Sequence, residues 1–268
     1  MKLRVFTAFS GYDSQCLALD RLKRDYPAFD YELIGWSEID KYAIRAHNAI
    51  YPQWAERNYG DISRIDWELV PDFDLFTYSF PCQDISQAGN QKGVQEGSGT
   101  RSSLLWECRK AIVAKHPKYL LMENVKALVG KKFFGTFQAW LDELEGYGYA
   151  NFWSVMNARD YGVPQNRERV FCVSILNCDV NYNFPKPFPL EKKLIDLCDE
   201  SVAESYFISE EMIQGFIEHN KKHEEKGTGF KWEPKDTKGK AGIGGGQIAN
   251  TLRANAALCP TDNTIIDE

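Results

Sequence analysis

Leu3-Arg4-Val5-Phe6-Thr7-Ala8-Phe9, running into Ser10-Gly11-Tyr12-Asp13-Ser14, decides the fold class of this chain. An apolar strand ends in a turn with a glycine near its centre. The turn opens a helical pattern over 14–25, with apolar positions at Leu19 and Leu22. A glycine between strand and helix lets the backbone pass close to a ligand and lets helix amides face it.

The same alternation continues along the chain. Strands are predicted over 31–37, 74–79, 118–122, 152–157 and 169–175, and helices over 41–49, 103–115 and 134–144. Such a sequence of elements predicts an α/β fold with a doubly wound, mainly parallel sheet covered by helices on both faces. After Asn177 the composition changes. Phe184-Pro185-Lys186-Pro187-Phe188-Pro189 is a stiff connector, because alternate prolines hold the backbone extended and remove its donors. Two domains are expected, 1–180 and 181–268. The second holds short helices over 191–197 and 210–225 and a glycine-rich stretch too poor in apolar residues to bury a sizeable core of its own.

The chain has 268 residues, 43% of them hydrophobic, and a formal net charge of -6. Seven scattered cysteines without a Cys-x-x-Cys pair, and no leader after Met1-Lys2-Leu3, predict a reducing, cytoplasmic setting and no structural zinc. No apolar run approaches the roughly 20 residues that span a bilayer, so no membrane is expected. His219 and His223 share a helical face without a third ligand, and no metal site is read from them. A net charge of -6 is not the basic balance expected of a nonspecific nucleic-acid binder. Lysines do gather at Lys126, Lys131 and Lys132, so a local cleft can still be positive.

Phe80-Pro81-Cys82-Gln83 carries the chemistry. Proline stiffens the exit from the preceding strand and presents Cys82 at its carboxyl end, where open α/β sheets bind ligands. A lone cysteine is by default a buried structural residue. Its neighbours argue for a nucleophile: Gly60-Asp61-Ile62 before it, Glu123-Asn124-Val125 closing a strand after it, and Gln165-Asn166-Arg167-Glu168-Arg169 opening the last strand.

At these residues the chain resembles the cytosine-5 DNA methyltransferases of bacterial and phage type, whose pattern runs F-x-G-x-G, G-D-I, P-C-Q, E-N-V and Q-x-R-x-R. The match covers Leu3 to about Asn177. Asp13 replaces the second glycine of the first motif; a carboxylate there would repel a pyrophosphate and favours S-adenosylmethionine over a dinucleotide. The resemblance implies a cofactor site for S-adenosylmethionine formed by Phe9, Ser10, Gly11, Glu38, Ile39, Asp61, Ile62, Pro81 and Leu104. Glu38 would bond both ribose hydroxyls, Asp61 the adenine amine, and Ile39 and Ile62 would sandwich the ring.

The resemblance further implies that Cys82 adds as thiolate to carbon 6 of cytosine, which activates carbon 5 for methylation. Glu123 would bond ring nitrogen 3 and the exocyclic amine, and Arg169, with Arg167 close by, the oxygen at position 2. Gln83, Ser86, Asn124, Val125 and Gln165 are expected around the flipped base. The glycine-rich segment 83–101 suits a closing loop. Thr251-Leu252 resembles the Thr-Leu element of the family's small target-recognition domain.

Three functions are weighed. The first is methyl transfer to double-stranded DNA in a restriction-modification or orphan setting, and the second is transfer to tRNA, whose branch shares P-C-Q and E-N-V but has a Cys-Phe-Thr triplet absent here. The third is a non-catalytic DNA-binding or assembly subunit, which the intact Cys82, Glu123 and Arg169 argue against. The family's later motifs, R-x-L-T-x-R-E and G-N-[AS]-V, do not follow Thr251-Leu252. The expectation is a truncation or half of a split enzyme, completed by a chain that carries them.

Overall fold

A computed structural model describes residues 2–81, 104–179, 181–199, 201, 209–226, 235–236, 249–250 and 265–266. The strands β1 (Leu3–Ala8), β2 (Tyr31–Ser37), β3 (Leu75–Tyr78), β4 (Tyr119–Val125) and β5 (Tyr149–Asn157) alternate with helices α1 (Ser14–Asp25), α2 (Lys41–Ile50), α3 (Leu105–Lys115) and α4 (Phe134–Gly146). The short β6 (Gln165–Asn166) precedes β7 (Glu168–Leu176). Six of these strands form one sheet in the order β2-β1-β3-β4-β7-β5.

β1 pairs in parallel with β2 and β3, and β3 with β4, as the alternation predicts. The pairing of β4 with β7 is antiparallel. Local alternation carries no information on the direction of that last strand. No helix of crossover length separates β5 from β7, and a parallel return would need one.

Both faces of the sheet are covered. Val5 packs with Cys16, Leu19, Leu33, Trp36 and Tyr51. Its neighbour Phe6 points the other way, into Phe76, Leu105, Ile112, Phe137 and Trp140. Successive residues of one strand thus feed two cores, which is the doubly wound arrangement. The register of β1 on β2 slips between Val5 and Phe6 and sets Phe6 opposite Gly35. A Cβ at Gly35 would lie 2.7 Å from the Phe6 ring and 2.8 Å from that of Tyr59, so this strand glycine exists to let two aromatic rings approach the backbone.

Backbone contacts divide the chain into Met1–Met156 with Arg169–Phe184, and Asn157–Glu168 with Pro185–Glu268. In the second unit the proline-rich segment is pinned to 157–162. Tyr161 Oη donates to the Pro185 carbonyl at 3.0 Å, Phe188 N to the Asp160 carbonyl at 3.0 Å, and the Tyr161 and Phe188 rings meet edge to face at 6.0 Å. β6 pairs in parallel with β8 (Ala249–Asn250), and α5 spans Glu210–Lys226.

The helix expected over 191–197 is not formed. Only a single 3-10 turn, Ile195–Leu197, is present. Asp196 Oδ2 accepts the Lys193 amide at 2.7 Å, which caps this one turn, and Leu197 is 57% exposed, so the segment has no packed face to extend the turn into a helix.

Candidate functional site

β1, β2, β3 and β4 run parallel, so their carboxyl ends share one edge of the sheet. The strand order reverses between β1 and β3, the position at which open α/β sheets form a crevice. Gln15 Nε2 at the start of α1 donates to Ser79 Oγ after β3 at 3.2 Å, across that point.

The turn after β1 places Phe9, Gly11 and Asp13 at φ of 56, 59 and 66°, all left-handed. Two of the three carry side chains, and such a backbone persists only where its surroundings impose it. Ser10 Oγ bonds Thr7 Oγ1 at 2.8 Å and the Thr7 carbonyl at 2.9 Å, and Ser10 N donates to the Ser37 carbonyl at 3.2 Å. Ser10 is thus a buried brace whose hydroxyl is spent on the turn.

Asp13 is fully buried. Its Oδ1 caps α1 by accepting the Cys16 amide at 3.3 Å, and its Oδ2 accepts Thr7 Oγ1 at 2.8 Å. This corrects the expectation that the Asp13 charge screens ligands directly. The left-handed backbone turns the carboxylate inward, beneath the turn, where it meets neighbours of the chain itself.

Glu38 closes the other side. Its Oε2 accepts the Gly11 amide at 2.9 Å, and its Oε1 accepts the Ile39 and Asp40 amides at 2.8 and 2.9 Å. A carboxylate oxygen offers two lone pairs, so Oε1 is saturated and Oε2 retains room for one further donor. The expectation that Glu38 bonds two ribose hydroxyls therefore narrows to one, unless a backbone amide lets go. Asn58, which the sequence reading missed, ties this corner to Gly60-Asp61-Ile62: its Oδ1 accepts the Glu38 and Gly60 amides and its Nδ2 donates to the Glu38 carbonyl at 3.1 Å.

Asp61 Oδ1 accepts the Ser63 amide and hydroxyl, which together with Arg64 hold its carboxyl below the ordinary range, and it stays ionised. Ile39 is 72% exposed, whereas Ile62, at 3%, belongs to the core. Of the two residues expected to sandwich a ring, the side chain of Ile39 offers surface and that of Ile62 is already consumed by packing. Leu104 is half-buried against the same core at the start of α3.

Among the described residues nothing lies within 4 Å of a Cβ built on Gly11, so they leave the face of the turn open. The exposed Tyr12 and Ile39 lie one residue from Gly11 and Glu38. An open turn of polar backbone, an acid at the end of β2 and exposed apolar side chains beside them suit a ligand with a ribose and an apolar ring, which S-adenosylmethionine has.

At the far side of the crevice, Asn124 is buried, and its Nδ2 donates to the Phe80 carbonyl at 3.0 Å while its Oδ1 accepts the Val125 amide at 2.8 Å. Both ends of the Asn124 amide are thus engaged by the chain itself, and its side chain braces Phe80-Pro81. Val125 packs against the core. Glu123 is half-buried and ion-paired, its Oε1 lying 3.1 Å from Arg169 Nε. Exposed Lys126, Lys131 and Lys132 follow directly on β4.

Arg167 and Gln165 belong to the second unit: the Arg167 amide donates to Asn157 Oδ1 at 3.0 Å, and Gln165 pairs with Ala249, two residues before Thr251. Cys82, Gln83, Ser86, Thr251, Leu252 and the rest of the expected closing loop over 83–101 lie outside the described residues. Among the described residues no helix is long and apolar enough to cross a membrane, and no three or more His, Cys, Asp or Glu side chains gather as metal ligands would.

Comparison with known proteins agrees with this geometry. A family model of C-5 cytosine-specific DNA methylases matches residues 3–265. The chain is 42% identical to the type II methyltransferase M2.ScrFI of Lactococcus lactis subsp. cremoris over 79% of this chain and 71% of that protein. It is 37% identical to the type II methyltransferase M.NlaX of Neisseria lactamica over 75% and 63% of the two chains. Other relatives are spanned by 50% to 66% of their length. The crystal structure of the S. pombe Dnmt2 methyltransferase superposes with a TM-score of 0.64 at 16% identity, covering 88% of this chain and 68% of that one.

Proposed function

The chain belongs to the C-5 cytosine-specific DNA methylases, a family that uses S-adenosylmethionine, and from that premise we propose that it methylates carbon 5 of a cytosine flipped out of double-stranded DNA, through a covalent bond to Cys82. One observation carries the reading. The bond from Asn124 to the Phe80 carbonyl fastens the chain two residues before Cys82 to the strand that bears Glu123, which supports a nucleophile and an acid acting on one base.

S-adenosylmethionine supplies the methyl group as an electrophilic sulfonium substituent. Gly11, Glu38 and Asp61 would hold it, with Ile39 against its ring. Cys82, as thiolate, forms a bond to carbon 6 and pushes the electron pair of the 5,6 double bond to carbon 5. Glu123 places a proton at ring nitrogen 3 as negative charge builds on the base. Arg169 keeps its charge, orients the Glu123 carboxylate through their ion pair and faces the developing charge at oxygen 2. After methyl transfer, loss of the carbon 5 proton to a base returns the electron pair to the ring and expels Cys82 as thiolate, and the proton at ring nitrogen 3 goes back to Glu123.

Exposed lysines after β4 suit phosphates beside the crevice even though the net charge is negative. The family description, which names DNA, favours DNA over tRNA. Transfer of labelled methyl groups to duplex DNA and to tRNA, with Cys82→Ala as control, tests the proposal. Label in DNA cytosine that disappears in Cys82→Ala is the expected result. Label in tRNA alone would move the chain to the RNA-modifying branch, and no label in either, with or without an added chain that carries R-x-L-T-x-R-E and G-N-[AS]-V, would leave a binding role.

A further inference from the structure

Beneath the open face of the Gly11 turn lies a buried pair that methyl transfer itself does not use. His47 is wholly excluded from solvent, stacked on Trp36 with ring centroids 3.7 Å apart. Its Nε2 has no hydrogen-bond partner and sits 3.6 Å from Asp13 Oδ2. A buried polar nitrogen without a partner, a few tenths of an ångström from hydrogen-bond range of a buried carboxylate, is costly unless that contact closes.

Both residues connect to the crevice. Asp13 is the left-handed residue that ends the turn, two positions after Gly11. His47 rides on α2, whose cap Asp40 has its own amide held by Glu38 Oε1. From above, the Gly11 amide is fastened to Glu38. From below, His47 Nε2 on α2 approaches Asp13 Oδ2 at the end of the turn. The two links close a ring around the turn.

Resting on the cofactor reading above, we propose that His47 and Asp13 are positioning residues that together hold the Phe9–Asp13 turn in its ligand-binding shape. His47 donates Nε2–H to Asp13 Oδ2. Its Nδ1 then accepts, which requires the Asn48 amide, whose Oδ1 stands 3.3 Å away, to turn over and present its nitrogen. The pair touches neither base nor methyl donor. It acts by selecting one backbone conformation among those open to the turn, so that ligand binding need not meet the cost of ordering it.

The test is calorimetric binding of S-adenosylhomocysteine to the full chain, with folding followed by circular dichroism. His47→Leu is expected to weaken binding by roughly tenfold or more, the loss of one buried hydrogen bond that the bound conformation needs. His47→Gln keeps an N–H donor and should recover most of it. The double variant His47→Leu/Asp13→Asn should bind no worse than the weaker single variant. Nitrogen-15 spectra of the histidine rings should show His47 protonated at Nε2. Equal affinity in folded His47→Leu and wild type, equal loss in the Leu and Gln variants, additive losses, or a bare Nε2 would each overturn the proposal. If His47→Leu does not fold, His47→Gln and Asp13→Asn decide on the same terms: the first binding near wild type and the second roughly tenfold weaker is the expected pattern, and any other overturns it. Absence of binding by the wild-type chain would overturn the cofactor reading and this proposal together, which is distinct from wild-type binding that the variants share.

Discussion

Arg169 Nε lies 3.1 Å from Glu123 Oε1, on antiparallel neighbours whose register sets Arg169 opposite Val125 and Glu123 opposite Phe171. The ion pair therefore spans a diagonal of the β4–β7 ladder, and both side chains are mostly shielded from solvent. Such a pair can simply brace two strands, or it can orient the acid toward a base. Glu123→Gln separates the two roles, because the amide keeps the size of the side chain but cannot supply the proton. Single-turnover methylation should fall by roughly two to four orders of magnitude with S-adenosylhomocysteine affinity unchanged. An unaltered rate would restrict Glu123 to bracing.

Asn124→Ala removes the donor to the buried Phe80 carbonyl and the acceptor of the Val125 amide. The expected cost is about 1–3 kcal/mol of stability. Because Phe80 is two residues before Cys82, methylation should fall further than stability alone explains. Thermal melts and single-turnover rates on the same preparation check this, and a rate loss matching only the unfolded fraction would contradict it.

Gly35→Ala places a methyl group against two rings. Phe6 is locked among Trp67, Phe73 and Phe76, with ring centroids at 5.1, 5.4 and 6.1 Å, and has little room to move. Strain of about 1–3 kcal/mol is expected, read as a lower denaturation midpoint. Tyr59 is the softer neighbour and leads directly into Gly60-Asp61, so S-adenosylhomocysteine binding should weaken as well. Wild-type stability in this variant would mean that the Tyr59 and Phe6 rings yield freely.

The strand–turn–helix order was legible because periodicity is local. The predicted helix over 14–25 and strand over 31–37 coincide with α1 and β2. Direction of pairing is a long-range property, and the antiparallel β7 was accordingly not legible. The acidic residues show the same limit. That Glu38 ends β2 could be read from apolar spacing, but its engagement by three backbone amides depends on loops from two other segments. The inward turn of Asp13 depends on a left-handed backbone that the residue type alone does not announce, though an aspartate directly before a helical pattern is a capping signal. His47 falls on the apolar face of α2 with Ile44 and Tyr51, a spacing that marks it as buried but not what it faces.

Acid should loosen the β1–β3 edge. Arg4 binds Asp74 through Nε, Nη2 and its own amide, and the Arg4 side chain holds the Asp74 carboxyl below its ordinary value of about 3.9. With the folded value depressed, this contribution to stability is fully present above the unfolded value and is lost as pH falls toward the folded one. Urea melts in that acid range should show stability falling, and Asp74→Asn should be weaker at neutrality but less sensitive to pH there. An equal slope in both proteins would place the acid sensitivity elsewhere.

The central claim is that Cys82 attacks the base. Incubation of the chain with S-adenosylmethionine and a duplex carrying 5-fluorocytosine at methylatable positions tests it most directly, because fluorine at carbon 5 cannot leave as a proton does and the cysteine stays attached. The account predicts a complex that survives denaturation, maps by mass spectrometry to Cys82, and is absent in Cys82→Ala. Trapping that persists in Cys82→Ala, or methyl label on adenine, would contradict it.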